Sequence, residues 1–267
     1  MGTAFLREAL LWGGIALKAL LLARLVQLKV AGRYRVVAVC LGFSFVRSLG
    51  LLYLSRSGAR MLGLNGYAVL YVVSQPVLWA LYFLVILELY SLMLEDFRGL
   101  RRLGQVVALA TLGSATAACG ALLIVGQGSG PFRYPFLFYL ARQEQSVFLC
   151  LSVATLAVVS FVSYYRLPVA RNLLILCASF GGYFAVSTAL WALYQYLGDD
   201  FYQSRTLLNG FFFLTSLLGA VVSLTRAGEA KTQPVSVLWG SSNKEIEIDL
   251  LLRLQGMNQT LAKVLRQ

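Results

Sequence analysis

Seven stretches of almost unbroken apolar residues divide the chain, at residues 9–26, 36–54, 68–94, 104–125, 146–165, 172–197 and 206–224. A helix needs about 20 such residues to cross the hydrocarbon of a bilayer, so each stretch predicts one spanning helix. The third and sixth exceed that length, which implies tilt or extension past the hydrocarbon. Pro76, near the start of the third, predicts a kink or an uneven first turn. Lys18 and Arg24 interrupt the first stretch, and a cleavable signal peptide is its rival reading. No small-residue cleavage site follows, so a retained helix is expected.

After Arg226 the pattern changes. "AGEAKTQPVSVLWGSSNKE" is polar and reads as a linker. "IEIDLLLRLQGMNQTLAKVLRQ" then places Leu250, Leu254, Met257, Leu261 and Val264 on a seam that repeats about every 3.5 residues, the coiled-coil period. Gly256 within it costs about 1 kcal/mol of helix stability relative to Ala. An amphipathic helix lying on the bundle or on the inner membrane surface fits the seam as well as a dimer contact does. The expected fold is all-α: a bundle of seven transmembrane helices over residues 1–226, then a cytoplasmic tail over residues 227–267 carrying a short amphipathic or coiled-coil helix.

Basic residues set the orientation. Arg24, Lys29, Arg33 and Arg35 follow the first stretch, Arg98, Arg101 and Arg102 the third, and Arg166 and Arg171 the fifth. The tail adds Arg226, Lys231, Lys244, Arg253, Lys263 and Arg266. The opposite side carries fewer cations, together with Asp199 and Asp200. The bias predicts N-terminus out and C-terminus in. Two aromatic segments fall on the outer side, "GPFRYPFLFYLAR" and "YQYLGDDFYQ". They read as an interfacial belt or, more sharply, as the roof of a ligand pocket.

Composition agrees: 59% of residues are hydrophobic and 13% charged, with mean hydropathy +0.74, against about 25% charged residues in soluble domains. Such a chain cannot cover a water-facing surface. The net charge of +12 is explained by cytoplasmic loops and anionic headgroups. No basic run with interleaved aromatics points to nucleic acid. Cys40, Cys119, Cys150 and Cys177 lie apart inside apolar runs, as small buried hydrophobes do. Histidine is absent, which removes bis-histidine haem, most zinc sites and His-based acid/base catalysis. The sequence calls for no cofactor and no metal. Serine-protease, phosphate-loop and retinal chemistries each lack a required residue, and the adjacent Asp199 and Asp200 in an outer loop are not spaced to hold a metal on a diphosphate.

Ionisable groups inside a bilayer are functional candidates by default. Lys18, Arg47 and Glu88 are the deep ones; Arg24 is near enough to a helix end to snorkel. With about 1.5 Å of rise per residue, Glu88 lies roughly 9 Å inside a boundary at Leu94. Arg47 lies about 16 Å from Val36, and Lys18 about 15 Å from Leu28. The offset, about 6–7 Å, predicts an ion pair of Glu88 with Arg47 or Lys18, assisted by Ser91 one turn on. The same four residues are the candidate ligand, ion or proton site.

"WALYFLVILELYSLMLEDFRGLRR" and the tail "LLLRLQGMNQTLAKVLR" sit in a layout that resembles the seven-helix membrane input modules of bacterial sensor proteins. It is also similar to uncharacterised bacterial seven-helix integral membrane proteins of like length. The resemblance implies a non-enzymatic sensory or scaffolding bundle in the plasma (inner) membrane that acts through its tail. Sensor modules feed an output domain, and none is expected after the short helix. Signalling is therefore expected through a homodimer or a separate cytoplasmic partner. The alternative is a small-solute or ion transporter that uses the Lys/Arg/Glu cluster.

Overall fold

The structure, a computed structural model, describes residues 2–58, 60–61, 64–95, 135–164, 169–198 and 201–229, with isolated positions in the tail. It is all-α apart from one small hairpin. Among the described residues six helices are long and apolar enough to cross a membrane: α1 Gly2–Gln27, α2 Arg35–Ser57, α3 Gly66–Met93, α4 Pro135–Tyr164, α5 Arg171–Leu197 and α6 Tyr202–Ser223. An apolar run in lipid must satisfy its own backbone groups, which makes helix the available solution. Residues 104–125, Cys119, Asp199, Asp200 and the seam Leu250, Leu254, Met257, Leu261 and Val264 lie outside the described residues.

Helix ends follow local chemistry. Lys29 takes a left-handed φ of 59°, and Val30 N–H returns to Leu25 O at 3.1 Å to close α1. Gly58, at φ 61°, closes α2. Between α2 and α3 the chain forms a two-stranded hairpin, β1 Arg60–Met61 paired antiparallel with β2 Leu64–Asn65. No strand was expected there, because elements of two residues leave no periodicity to read. α4 begins earlier than the apolar run at residue 146 implies, with Pro135 at its first position, where a missing N–H costs nothing.

The described helices pack as a closed ring in chain order, α6 returning against α1, with α3 and α5 also touching across the middle. Gln75 and Tyr82 of α3 meet Glu144 and Phe148 of α4 in the same sequence order, so α3 and α4 run parallel. Leu10 and Arg24 of α1 likewise meet Gly210 and Leu224 of α6. The remaining neighbours are antiparallel, as Asn172–Thr225 and Ser187–Asn209 show for α5 and α6. The centre is aromatic. Tyr82 lies 5.3 Å from Phe184 and Phe148 lies 5.6 Å from Phe184, between ring centroids, within the favourable range for ring pairs.

Small residues recur four apart at Gly113 and Ala117, Gly181 and Ala185, and Gly219 and Ser223, a spacing that lets helices approach closely in lipid; Gly181 of α5 makes such a contact, where a Cβ would stand 2.5 Å from Thr155 Cγ2 on α4. Gly219 faces open space. Gly113 and Ala117 lie outside the described residues.

Candidate functional site

Glu88 lies level with the start of α2. Its Oε1 accepts the N–H of Val36 at 2.9 Å and its Oε2 that of Val37 at 3.1 Å. These are orphan donors of the first helical turn, and Tyr34 at the N-cap supplies no side-chain cap. A carboxylate at that point also meets the positive end of the helix dipole. The expected pairing with Arg47 or Lys18 is not formed: among the described residues, the carboxylate of Glu88 makes no ion pair. Equal inner boundaries for α2 and α3 were the faulty premise. Residue 88 stands opposite 36 while residues 74 and 75 stand opposite 47, so about 16–20 Å of helix separates Glu88 from Arg47. Ser91 is buried one turn beyond Glu88.

The two cations sit in the other half of the bundle, toward the chain's N-terminus. Lys18 is 8% exposed; its Nζ donates to Ser48 Oγ at 2.8 Å and lies 5.2 Å from the centre of the Phe213 ring. Arg47 donates from Nε to Ser74 Oγ at 2.7 Å and from Nη2 to Gln75 Oε1. Gln75 Nε2 then donates to Glu144 Oε1 at 3.2 Å. One relay thus joins α2, α3 and α4.

Arg205 of α6 completes this end. Its guanidinium carbon lies 3.6 Å from the Trp191 ring centre, 5.3 Å from that of Tyr194 and 5.4 Å from that of Tyr202, a cation–π stack. Its charge interacts with that of Glu144, which also feels Arg47. Tyr194 and Tyr202 come from the second aromatic segment.

A second polar group closes the opposite end. The residues after α6 form a 3-10 turn, Ala227–Glu229, folded back onto the bundle. Glu229 Oε1 accepts from Asn172 Nδ2 at 2.6 Å and from the Tyr34 hydroxyl at 3.1 Å. Its Oε2 pairs with Arg33 Nη1 at 3.3 Å. Asn172, fully buried, also donates to Thr225 O at 2.7 Å and accepts Thr225 N–H at 3.2 Å. Arg24 Nη2 donates to Leu224 O at 3.1 Å. Tyr34 is buried in the α1–α2 turn; burial, and then the Glu229 carboxylate, push its phenol above the ordinary range and keep it a donor. Gly228 is buried, and a Cβ on it would collide with the Asn172 side chain.

Between these ends lies a buried apolar layer that includes Leu21, Leu41, Val85, Leu176, Phe180 and Leu217. Sequence reasoning passed over Glu144, Arg205, Asn172 and Glu229. Glu144 and Arg205 fall just ahead of their apolar runs and read as loop residues. Asn172 heads its run and Glu229 opens the polar linker. A polar residue within one turn of a span's edge was the available signal.

No family model, curated protein or solved structure matches the chain. The six helices among the described residues that are long and apolar enough to cross a membrane define the chain as a multi-pass membrane protein.

Proposed function

We propose that the chain is a non-enzymatic, sensory or scaffolding bundle of seven transmembrane helices that acts through its cytoplasmic tail. The observation that carries this reading is the Glu229 latch: the first residues beyond α6 are held by hydrogen bonds and an ion pair to the α1–α2 turn and to the head of α5. Helix movement within the bundle would therefore reach the point where the tail departs. Seven crossings are supported by direction. α3 ends at the end of the bundle opposite to the one where α4 begins, and the sequence between them holds an apolar run, residues 104–125, of spanning length. The excess of Lys and Arg near the α1–α2 turn and in the tail supports N-terminus out and C-terminus in at a bacterial inner membrane.

A transporter using the Lys18, Arg47 and Glu88 cluster would need a polar route between the ends. The apolar waist interrupts such a route among the described residues, and Glu88 is engaged as a helix cap.

The test is in-membrane crosslinking of the full chain against a variant lacking residues 246–267. Dimer or partner capture is expected to vanish on truncation while insertion of the bundle is retained. Capture that survives truncation sinks the proposal.

A further inference from the structure

We propose that the N-terminal half of the bundle holds a binding site for a small carboxylate with an apolar body, built on Arg205, Arg47 and Glu144 and walled by Trp191, Tyr194 and Tyr202. Three observations converge on it. Arg205 Nη1 is buried and has no hydrogen-bond partner among the described residues. A buried donor left unpaired carries a desolvation cost that an acceptor would remove, and a carboxylate matches the guanidinium fork better than a single neutral oxygen does.

The second observation is charge. Among the described residues, three cations, Lys18, Arg47 and Arg205, stand in this half with the carboxyl group of Glu144, which Gln75 ties to Arg47. A cluster in which cations outnumber carboxyl groups favours an anion. Lys18, bonded to Ser48 beside Arg47, adds positive potential of its own. Uncompensated charge in a bilayer-embedded interior is expensive, and an incoming anion relieves it.

The third observation is the wall. Trp191 stacks on the guanidinium, and Tyr194 and Tyr202 pack against each other with ring centres 6.0 Å apart. Flat aromatic surface beside a fixed cation suits an amphipathic anion, the apolar part lying on the rings. The site stands at the end of the bundle away from the Glu229 latch, as the input of a sensor would. It extends the proposed sensory reading, but its test reads ligand binding alone, so the two can fail separately.

The experiment uses the full chain in phosphatidylcholine nanodiscs, titrated with sodium benzoate against sodium chloride at equal ionic strength and read by tryptophan fluorescence. Benzoate should give a saturable change by the millimolar range. Arg205→Gln should weaken it at least about tenfold. Glu144→Gln should tighten it about threefold or more, because the competing carboxylate is gone; a folding defect cannot produce tighter binding. Arg56→Gln, in an exposed pair with Glu8, should leave it unchanged. No saturable change with benzoate overturns the proposal, as does weaker binding in Glu144→Gln. A response evoked by phosphatidylglycerol in the nanodisc but not by benzoate overturns the carboxylate assignment in favour of a lipid phosphate.

Discussion

The Glu88 carboxylate on α3 closes the first turn of α2, accepting the N–H of Val36 at 2.9 Å and sharing its second oxygen with Val37. A cap supplied from a neighbouring helix fixes the register of the two helices as well as satisfying the end of one. Removing it in Glu88→Ala should cost about 1–2 kcal/mol, the scale of a lost N-cap. Glu88→Gln, which keeps one acceptor oxygen, should cost less. Thermal unfolding in detergent measures both. Rescue of either by Arg47→Gln would revive the ion-pair reading that the register excludes.

At Gly181 the Thr155 side chain of α4 occupies the space that a Cβ on α5 would need. Gly181→Ala should destabilise the bundle by about 1–3 kcal/mol through overpacking. Thr155→Ser removes the colliding Cγ2 and keeps the hydroxyl that donates to Leu151 O at 2.7 Å, so the double variant should recover much of the loss. Equal melting of the single and double variants would mean that the contact is not this tight in the membrane.

The latch offers a third case. Asn172→Ala strands the backbone of Thr225 and one side of Glu229, and should cost about 1–3 kcal/mol. Gly228→Ala should loosen the same turn without removing any polar group, because its Cβ meets the Asn172 amide. Hydrogen exchange at residues 224–229 should rise in both variants while exchange in the middle of α3 stays slow. Unchanged exchange at the turn would show that it does not depend on the network.

Arg56 and Glu8 supply the contrast. Their pair is short, 2.7 Å, but both side chains are 59% exposed. Arg56→Gln should therefore shift stability by less than about 1 kcal/mol, and a larger drop in melting temperature would mark an unexpected role for the pair.

Hydropathy made the six described spans legible, because lipid leaves an apolar run little choice but helix. It could not supply the register between helices, which is set by side-chain packing and caps. Glu88 and Arg47 looked adjacent when depth was counted from matched boundaries; they belong to opposite halves once residue 88 is known to face 36. The start of α4 was hidden by Arg142, Gln143 and Glu144, polar residues that look like a loop until Gln75 of α3 is found donating to Glu144. Asn172 and Glu229 gave no sign of belonging together across 57 positions. Long-range polar contacts of this kind leave no local pattern.

The central claim is that bundle and tail form one device joined at Glu229. Its most direct measurement is tail-dependent crosslinking in native membranes, comparing the full chain with Asn172→Ala while insertion is monitored in parallel. Breaking the latch should change capture by at least about fivefold, the lower end of measured couplings between sites, with the tail sequence untouched. Capture that is the same in both chains, with the bundle equally well inserted, would contradict the claim.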